Sequence, residues 1–162
     1  MQVTKAVDYG IRALLVLASS PATRRHYLND LAEKADVPRN YLVKILKSLS
    51  HAGIVSSFRG MRGGFTLAKD PKNISLRAVI EAIDGPVGVM PCLSGANQCS
   101  RPSPCAAQEI FRSIRERLLT ELESHTMADL MRREAELRTI RQQRPAIRYE
   151  SAGAAAPPPP GA

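Results

Sequence analysis

The stretch VPRNYLVKILKSLSHAGIVSSFRGMRGGFTLAKD, residues 37–70, contains the pattern that decides the fold. From Arg39 to His51 its leucines and isoleucine recur at helical spacing, which predicts a helix with one buried stripe. Gly53 is typical of a helix end. Two short runs of strand-forming residues then flank a glycine-rich tip with two arginines, which predicts a β-hairpin. The predicted strands are Ile54 to Phe58 and Phe65 to Ala68.

Two further helices are predicted upstream of this stretch. One covers residues 5–19 with Thr4 as its N-cap, and a shorter one covers residues 28–35. A turn follows, because Pro38 disfavours helix at the residue before it. Helix, turn and helix followed by a basic hairpin predict a winged helix-turn-helix, whose last helix enters the major groove of DNA.

The distribution of charge favours a nucleic-acid partner. The chain carries a net charge of +8, and residues 1–70 hold 11 basic and 5 acidic residues. Between Arg39 and Lys69 there are six basic residues and no acidic one, which favours a polyanion-binding surface over a merely solvated basic face. We expect four side chains to reach base edges: Arg39, Asn40, Tyr41 and Lys44. We expect three others to contact phosphate or the minor groove: Lys47, Arg59 and Arg62.

After the hairpin a helix is predicted over SLRAVIEAID, residues 75–84, with Ser75 as its N-cap. Two more helices follow, over residues 105–137. A broad apolar stripe runs along the first of them: Ile110, Phe111, Ile114, Leu118, Leu119 and Leu122. Packing against the first helix of the chain is one explanation. The stripe is too large for one small domain to cover, however, which favours a homodimer interface.

The chain therefore divides into four predicted segments. Residues 1–84 form the winged helix-turn-helix domain, with the first helix also packing at the dimer interface. Residues 85–105 form a cysteine loop, residues 105–137 the dimerisation helices, and residues 138–162, rich in Arg, Ala and Pro, a disordered tail. The predicted fold class is mainly α with a small β-wing.

The three cysteines, Cys92, Cys99 and Cys105, all lie in the loop CLSGANQCSRPSPC. The loop has neither the tight cysteine pairs nor the histidine that structural zinc sites use. Iron–sulfur clusters accept thiolates from wider loops, because the ligands bind different irons. We therefore favour an iron–sulfur cluster. A thiol switch, a zinc site and cysteines without a metal role are the alternatives.

Membrane proteins and enzymes are not expected. No apolar run is long enough to span a bilayer, and charged residues interrupt the apolar N-terminal segment, so we expect a cytoplasmic protein. There is no Ser/His/Asp arrangement and no pair of carboxylates in a predicted cleft, and GMRGG lies between strands instead of before a helix. A cluster-dependent enzyme is the remote alternative.

Several segments together resemble the IscR/NsrR family of winged-helix iron–sulfur regulators, over roughly residues 1–135. They are DYGIRALLVLA in the first helix, residues 37–70, the three-cysteine loop, and TMADL after the long helix. The resemblance implies a homodimeric transcriptional repressor that binds a palindromic operator in double-stranded DNA. It also implies that Cys92, Cys99 and Cys105 hold an iron–sulfur cluster, with 4Fe–4S favoured and 2Fe–2S as the alternative.

Within this family the chain looks closest to the nitric-oxide-sensing, NsrR-like branch. IscR-like members are expected to supply a histidine shortly after the third cysteine, whereas this chain reads CAAQEIF there. The NsrR-like branch implies Asp8 of the partner subunit as the fourth ligand, with Arg12 orienting its carboxylate. From the residues alone, Asp8 and Arg12 are expected to form an i,i+4 ion pair. The branch also implies nitric oxide as the signal, and iron supply, cluster status or redox stress is the alternative.

Overall fold

Six α-helices and one β-hairpin build the part of the chain that the computed structural model describes, residues 3–60, 63–93 and 104–143. In chain order the elements are α1 (Lys5–Ala18), α2 (Leu28–Ala35), α3 (Arg39–His51), β1 (Val55–Phe58), β2 (Gly64–Leu67), α4 (Leu76–Asp84), α5 (Ala106–Ser124) and α6 (Met127–Gln143). Single 3-10 turns lie at Pro71–Asn73 and Pro91–Leu93. The fold is mainly α with a two-stranded wing, as predicted. Among the described residues, no helix combines the length and apolar character needed to cross a bilayer.

Two helices begin at side-chain caps. The Thr4 hydroxyl accepts a hydrogen bond from the Val7 N–H at 3.4 Å, which confirms the predicted N-cap of α1. The Ser75 hydroxyl accepts one from the Ala78 N–H at 3.2 Å at the start of α4. Each such cap stabilises its helix by about 1 kcal/mol, because it satisfies an N–H group that has no partner inside the helix.

Helix α3 ends in a glycine-dependent turn. Gly53 has φ of 65°, in the left-handed region that favours glycine. This conformation lets the Gly53 N–H donate to the Ser50 carbonyl at 3.1 Å and the Ile54 N–H donate to the Leu49 carbonyl at 2.9 Å. The two bonds form a Schellman motif, which directs the chain from α3 into the wing.

The main core lies among α1, α2, α3 and α4. Five leucines from three of these helices are at most 1% exposed: Leu14, Leu31, Leu42, Leu46 and Leu49. Three of them lie on one face of α3, as its helical periodicity predicts. The opposite face of α3 is therefore left toward solvent.

The wing has a third partner that no sequence pattern indicated. In the hairpin, Phe58 of β1 lies opposite Gly64 of β2. Beside it, the His26 N–H donates to the Phe65 carbonyl at 3.0 Å and the Phe65 N–H donates to the His26 carbonyl at 2.9 Å. A bridge of a single residue pair produces no alternation of apolar and polar residues, so it could not be predicted from the sequence.

The imidazole of His26 is buried beside this bridge. The residue is 3% exposed, and its Nε2 lies 2.9 Å from Ser20 Oγ. Burial lowers the pKa of His26 below its ordinary value of 6.5; the cations Lys34 and Arg24 lower it further, against an opposing effect of Asp30. At mildly acidic pH, the unfolded chain therefore takes up a proton that the folded chain does not.

We expect the thermal midpoint of the wild-type protein to decrease as the pH is lowered from about 7.5 to about 5.5, because protonation is linked to unfolding. The stabilising contribution of neutral His26 is complete when the pH is above the pKa that His26 has in the unfolded chain. It is lost as the pH falls toward the lower pKa that His26 has in the folded chain. His26→Gln should lose this part of the pH dependence, whereas His51→Gln, on the exposed end of α3, should retain it. Circular dichroism melts measure both, and identical pH profiles for wild type and His26→Gln would contradict the assignment.

The apolar stripe of α5 divides into two halves. The C-terminal half packs on a small cluster of Val7, Ile80 and Val87 through three half-buried leucines: Leu118, Leu119 and Leu122. The N-terminal half stays exposed: Ile110 is 60% exposed, Phe111 38% and Ile114 45%. Packing within one chain therefore accounts for only half of the stripe.

Helix α6 extends further than expected. It begins at a reciprocal cap, in which the Thr126 N–H donates to Asp129 Oδ2 at 2.9 Å and the Asp129 N–H donates to Thr126 Oγ1 at 3.3 Å. It then runs to Gln143, so the expectation that a disordered tail starts at 138 is wrong for its first residues. Ion pairs between successive turns support this stretch, among them Arg138 to Glu134 at 2.7 Å. The rest of the expected tail, 144–162, lies outside the described residues.

Candidate nucleic-acid interface and cysteine site

The exposed face of α3 carries the side chains predicted to contact DNA. All five predicted residues of this helix are exposed: Arg39, Asn40, Tyr41, Lys44 and Lys47. Asn40, Lys44 and Lys47 form one stripe, since they are spaced by four and three residues. Val43, 48% exposed, lies in the same stripe. The sequence did not single it out because an apolar helical residue is normally assigned to the core, yet such a side chain can contact a thymine methyl group.

Tyr41 lies at the edge of this stripe, where a second ring from α1 contacts it. The centroids of the Tyr9 and Tyr41 rings are 6.2 Å apart with an interplanar angle of 63°, an edge-to-face contact. On α1 itself, the Arg12 guanidinium carbon lies 5.9 Å from the Tyr9 centroid. Tyr9 therefore connects Arg12 to α3.

Arg12 also binds two carboxylates. Its Nη2 is 2.8 Å from Asp8 Oδ2, which confirms the predicted i,i+4 pair, and its Nη1 is 3.5 Å from Asp36 Oδ2. The hydrogen bond to Asp8 is the largest cause of the raised pKa of Arg12, so the guanidinium remains charged. Pairs at this level of exposure add little to stability. What the pair provides is a defined orientation for the Asp8 carboxylate.

The wing presents Arg59 to solvent, directly after β1. Phe58, the residue before it, is 40% exposed, and the guanidinium carbon of Arg25 lies 3.9 Å from its ring centroid. Arg25 was not among the residues predicted from sequence, because it lies well outside the hairpin; the adjacent pair Arg24-Arg25 before α2 was the available signal. Arg62 lies outside the described residues.

Two of the three cysteines are described, and they flank the loop. Cys92 lies in the turn Pro91–Leu93, and Cys105 is the N-cap of α5. Both carry half-buried free thiols. The turn at Pro91–Leu93 contacts α5, so the fold brings both ends of the loop to one helix. Cys99 lies outside the described residues.

The donors described at the ends of the loop are the thiols of Cys92 and Cys105. Over residues 3–60, 63–93 and 104–143, no three Cys, His, Asp or Glu side chains gather into a metal site. The three histidines have other partners. His26 contacts Ser20, His51 contacts the Lys47 carbonyl, and His125 contacts Glu121. The candidate donors are thus thiolates, and thiolates in a wide loop are typical of iron–sulfur ligation.

Comparison with known proteins identifies the family. The model of the Rrf2 family, described as an iron-dependent transcriptional regulator, matches residues 3–133. CymR (YrzC), the global cysteine regulator of B. subtilis, is 26% identical with a TM-score of 0.65, over 81% of this chain and 96% of that chain. A putative transcriptional regulator from Listeria innocua is 26% identical with a TM-score of 0.67, over 82% and 87%. T. potens IscR is 23% identical with a TM-score of 0.66, over 85% and 90%.

The matched region covers the helix-turn-helix, the wing and α5, which are the parts predicted to bind DNA and a partner subunit. The structural neighbours bear the names of different regulators, CymR and IscR, so they support the family and not its nitric-oxide-sensing branch. The chain belongs to the Rrf2 family of DNA-binding transcription regulators and is not an enzyme.

Proposed function

We propose that this regulator is a homodimeric repressor whose affinity for DNA depends on an iron–sulfur cluster and which responds to nitric oxide. The observation that carries the proposal is the placement of the thiols, with Cys92 in a turn that contacts α5 and Cys105 at the N-cap of that helix. The loop between them supplies Cys99. Three soft thiolates in one loop match the ligands of iron–sulfur clusters.

The fourth ligand would be Asp8 of the partner subunit, as the family resemblance implies. The Asp8 side chain is 52% exposed on α1 and lies 2.8 Å from Arg12, which is placed to orient its carboxylate. A bound cluster would supply irons that react with nitric oxide. Because a carboxylate is a harder ligand than a thiolate, the bond to Asp8 would be the weakest of the four and the first to be lost.

Loss of that bond would reach the DNA-binding surface through α1. Arg12 contacts both Asp8 and Tyr9, and Tyr9 contacts Tyr41 on α3. A new partner for Asp8 would therefore change the contacts that hold Arg12. Through Tyr9, this change would alter the packing against Tyr41 on α3. Moving a two-state repressor from almost fully bound to almost fully free requires about 5.5 kcal/mol of differential binding.

The exposed half of α5 supports the dimer. Three apolar side chains at neighbouring positions on one face are unusual on a monomer and are typical of an interface: Ile110, Phe111 and Ile114. A two-fold dimer through this face would present two α3 helices to successive major grooves, about 34 Å apart on the DNA. This arrangement favours a palindromic operator.

A second interpretation keeps the same regulator and changes the signal to iron supply, cluster status or redox stress. The description of the family as iron-dependent favours it. CymR, a similar protein, is described as the global cysteine regulator of B. subtilis, a description that does not mention nitric oxide.

One experiment tests the cluster and its signal together. The protein is purified without oxygen, its iron and visible absorbance are measured, and an operator is selected from random duplex DNA. Nitric oxide, oxygen and a chelator are then titrated while binding to that operator is followed. We expect a coloured dimer, and we expect that fewer molar equivalents of nitric oxide than of oxygen or chelator release it from DNA. A colourless, iron-free protein that binds DNA equally under all three treatments would rule out the cluster.

Asp8→Ala separates the fourth ligand from the rest of the site. We expect the variant to retain some iron, with an altered absorbance spectrum and a changed rate of reaction with nitric oxide. Asp36→Ala is the matched control, because it removes the other carboxylate on Arg12 and should leave both properties unchanged. If Asp8→Ala behaves like Asp36→Ala, Asp8 is not a ligand.

A further inference from the structure

The segment before α2 lies against the wing, joined to it by the single residue pair His26–Phe65. Its backbone bonds with Phe65 fix the direction of the residues on either side of His26. Since side chains alternate along an extended chain, the inward position of His26, 3% exposed, places Arg25 and Tyr27 on the outer side. Both residues are exposed.

From this outer side, Arg25 reaches across the wing to Phe58. The guanidinium carbon lies 3.9 Å from the Phe58 ring centroid, a stacking distance for a cation on an aromatic face. Phe58 is the last residue of β1, and Arg59 follows it directly. The contact therefore lies at the point where the chain leaves the sheet toward the wing tip.

The residue opposite Phe58 leaves space for this contact. Gly64 pairs with Phe58 in the hairpin and has φ of 134°. A Cβ at Gly64 would lie 2.9 Å from the His26 carbonyl oxygen and 3.2 Å from the Cβ of Arg25. Glycine at this position thus allows the segment that carries Arg25 to approach the hairpin closely.

We propose that Arg25 is a positioning residue for DNA binding, which holds Phe58 by stacking and so orients Arg59 toward the DNA. The inference rests on the proposed contact of Arg59 with phosphate or the minor groove. Arg25 then acts through Arg59, so removal of either arginine should have much the same consequence as removal of both.

A double-mutant cycle on the full-length protein tests this, with a duplex carrying the operator selected by the wild type. Arg25→Ala should weaken binding about fivefold in the wild-type background, as expected for loss of a cation–π contact, and much less in the Arg59→Ala background. Arg25→Lys, which keeps the charge but not the planar stack, and Phe58→Leu should each reproduce most of the loss. Arg24→Ala removes the same charge one residue away and should have a smaller effect once salt screens long-range attraction. Thermal midpoints are measured for each variant, so that a loss of folding is recognised.

The outcomes are distinct. Sub-additive losses at Arg25 and Arg59, with wild-type thermal midpoints, would support the inference. Additive losses, or wild-type affinity in Arg25→Lys, would overturn it while leaving the wing as a DNA contact. Unchanged affinity in Arg59→Ala would overturn the proposed wing contact and this inference with it.

Discussion

Replacing Leu46 by alanine should lower the free energy of unfolding by about 3 kcal/mol. Leu46 is 1% exposed and lies on the inner face of α3, so the change removes buried methyl groups and leaves a cavity that the neighbouring helices only partly fill. Since domains of this size are typically stable by about 5–15 kcal/mol, this is a large fraction of the total.

Urea denaturation at one fixed protein concentration measures the effect, because unfolding of an oligomer depends on concentration. Val43→Ala is the matched control: it shortens an apolar residue of the same helix that is 48% exposed, and should cost less than about 1 kcal/mol. Equal losses for the two variants would mean that the inner and outer faces of α3 are wrongly assigned.

Ile114→Asp should convert the proposed dimer to monomers and weaken binding to a palindromic operator by about a hundredfold or more. The side chain lies in the exposed apolar half of α5, where a dimer would bury the new carboxylate without a partner. A monomer engages one half-site at a time and loses the gain in effective concentration that linked sites provide.

Sedimentation velocity measures the oligomeric state, and fluorescence anisotropy measures operator affinity. Thr120→Asp places the same carboxylate on an exposed position of α5, roughly 120° around the helix from Ile114, and should leave the dimer intact. A dimeric Ile114→Asp protein with wild-type affinity would show that the subunits associate through another surface.

Local interactions explain why so much of the fold could be predicted. The caps at Thr4 and Ser75 act on backbone N–H groups three residues away, and the turn at Gly53 closes within six residues. Such signals are complete within a short window of sequence, so the bounds of α2 and α3 were predicted correctly. The end of α6 was not, because its composition suggested a tail, while ion pairs such as Glu134 to Arg138 continue the helix.

The candidate site was predictable in its residue types but not in its contacts. Arg39, Asn40, Lys44 and Lys47 were expected on the open face of α3 because the periodicity of one helix separates its buried and exposed sides. The contact of Tyr9 with Tyr41, and that of Arg25 with Phe58, join residues about 30 positions apart in the chain. No local pattern records such pairs.

The sequence by itself determined the order of the helices, the hairpin and the polarity of α3, since each depends on spacing within a short segment. It also indicated the family, through a resemblance that extends over roughly residues 1–135. The tertiary structure decided which half of the α5 stripe is covered, which ring supports Tyr41 and which arginine stacks on Phe58. These features depend on how close distant segments come to each other. That distance is set by the packing of the core as a whole.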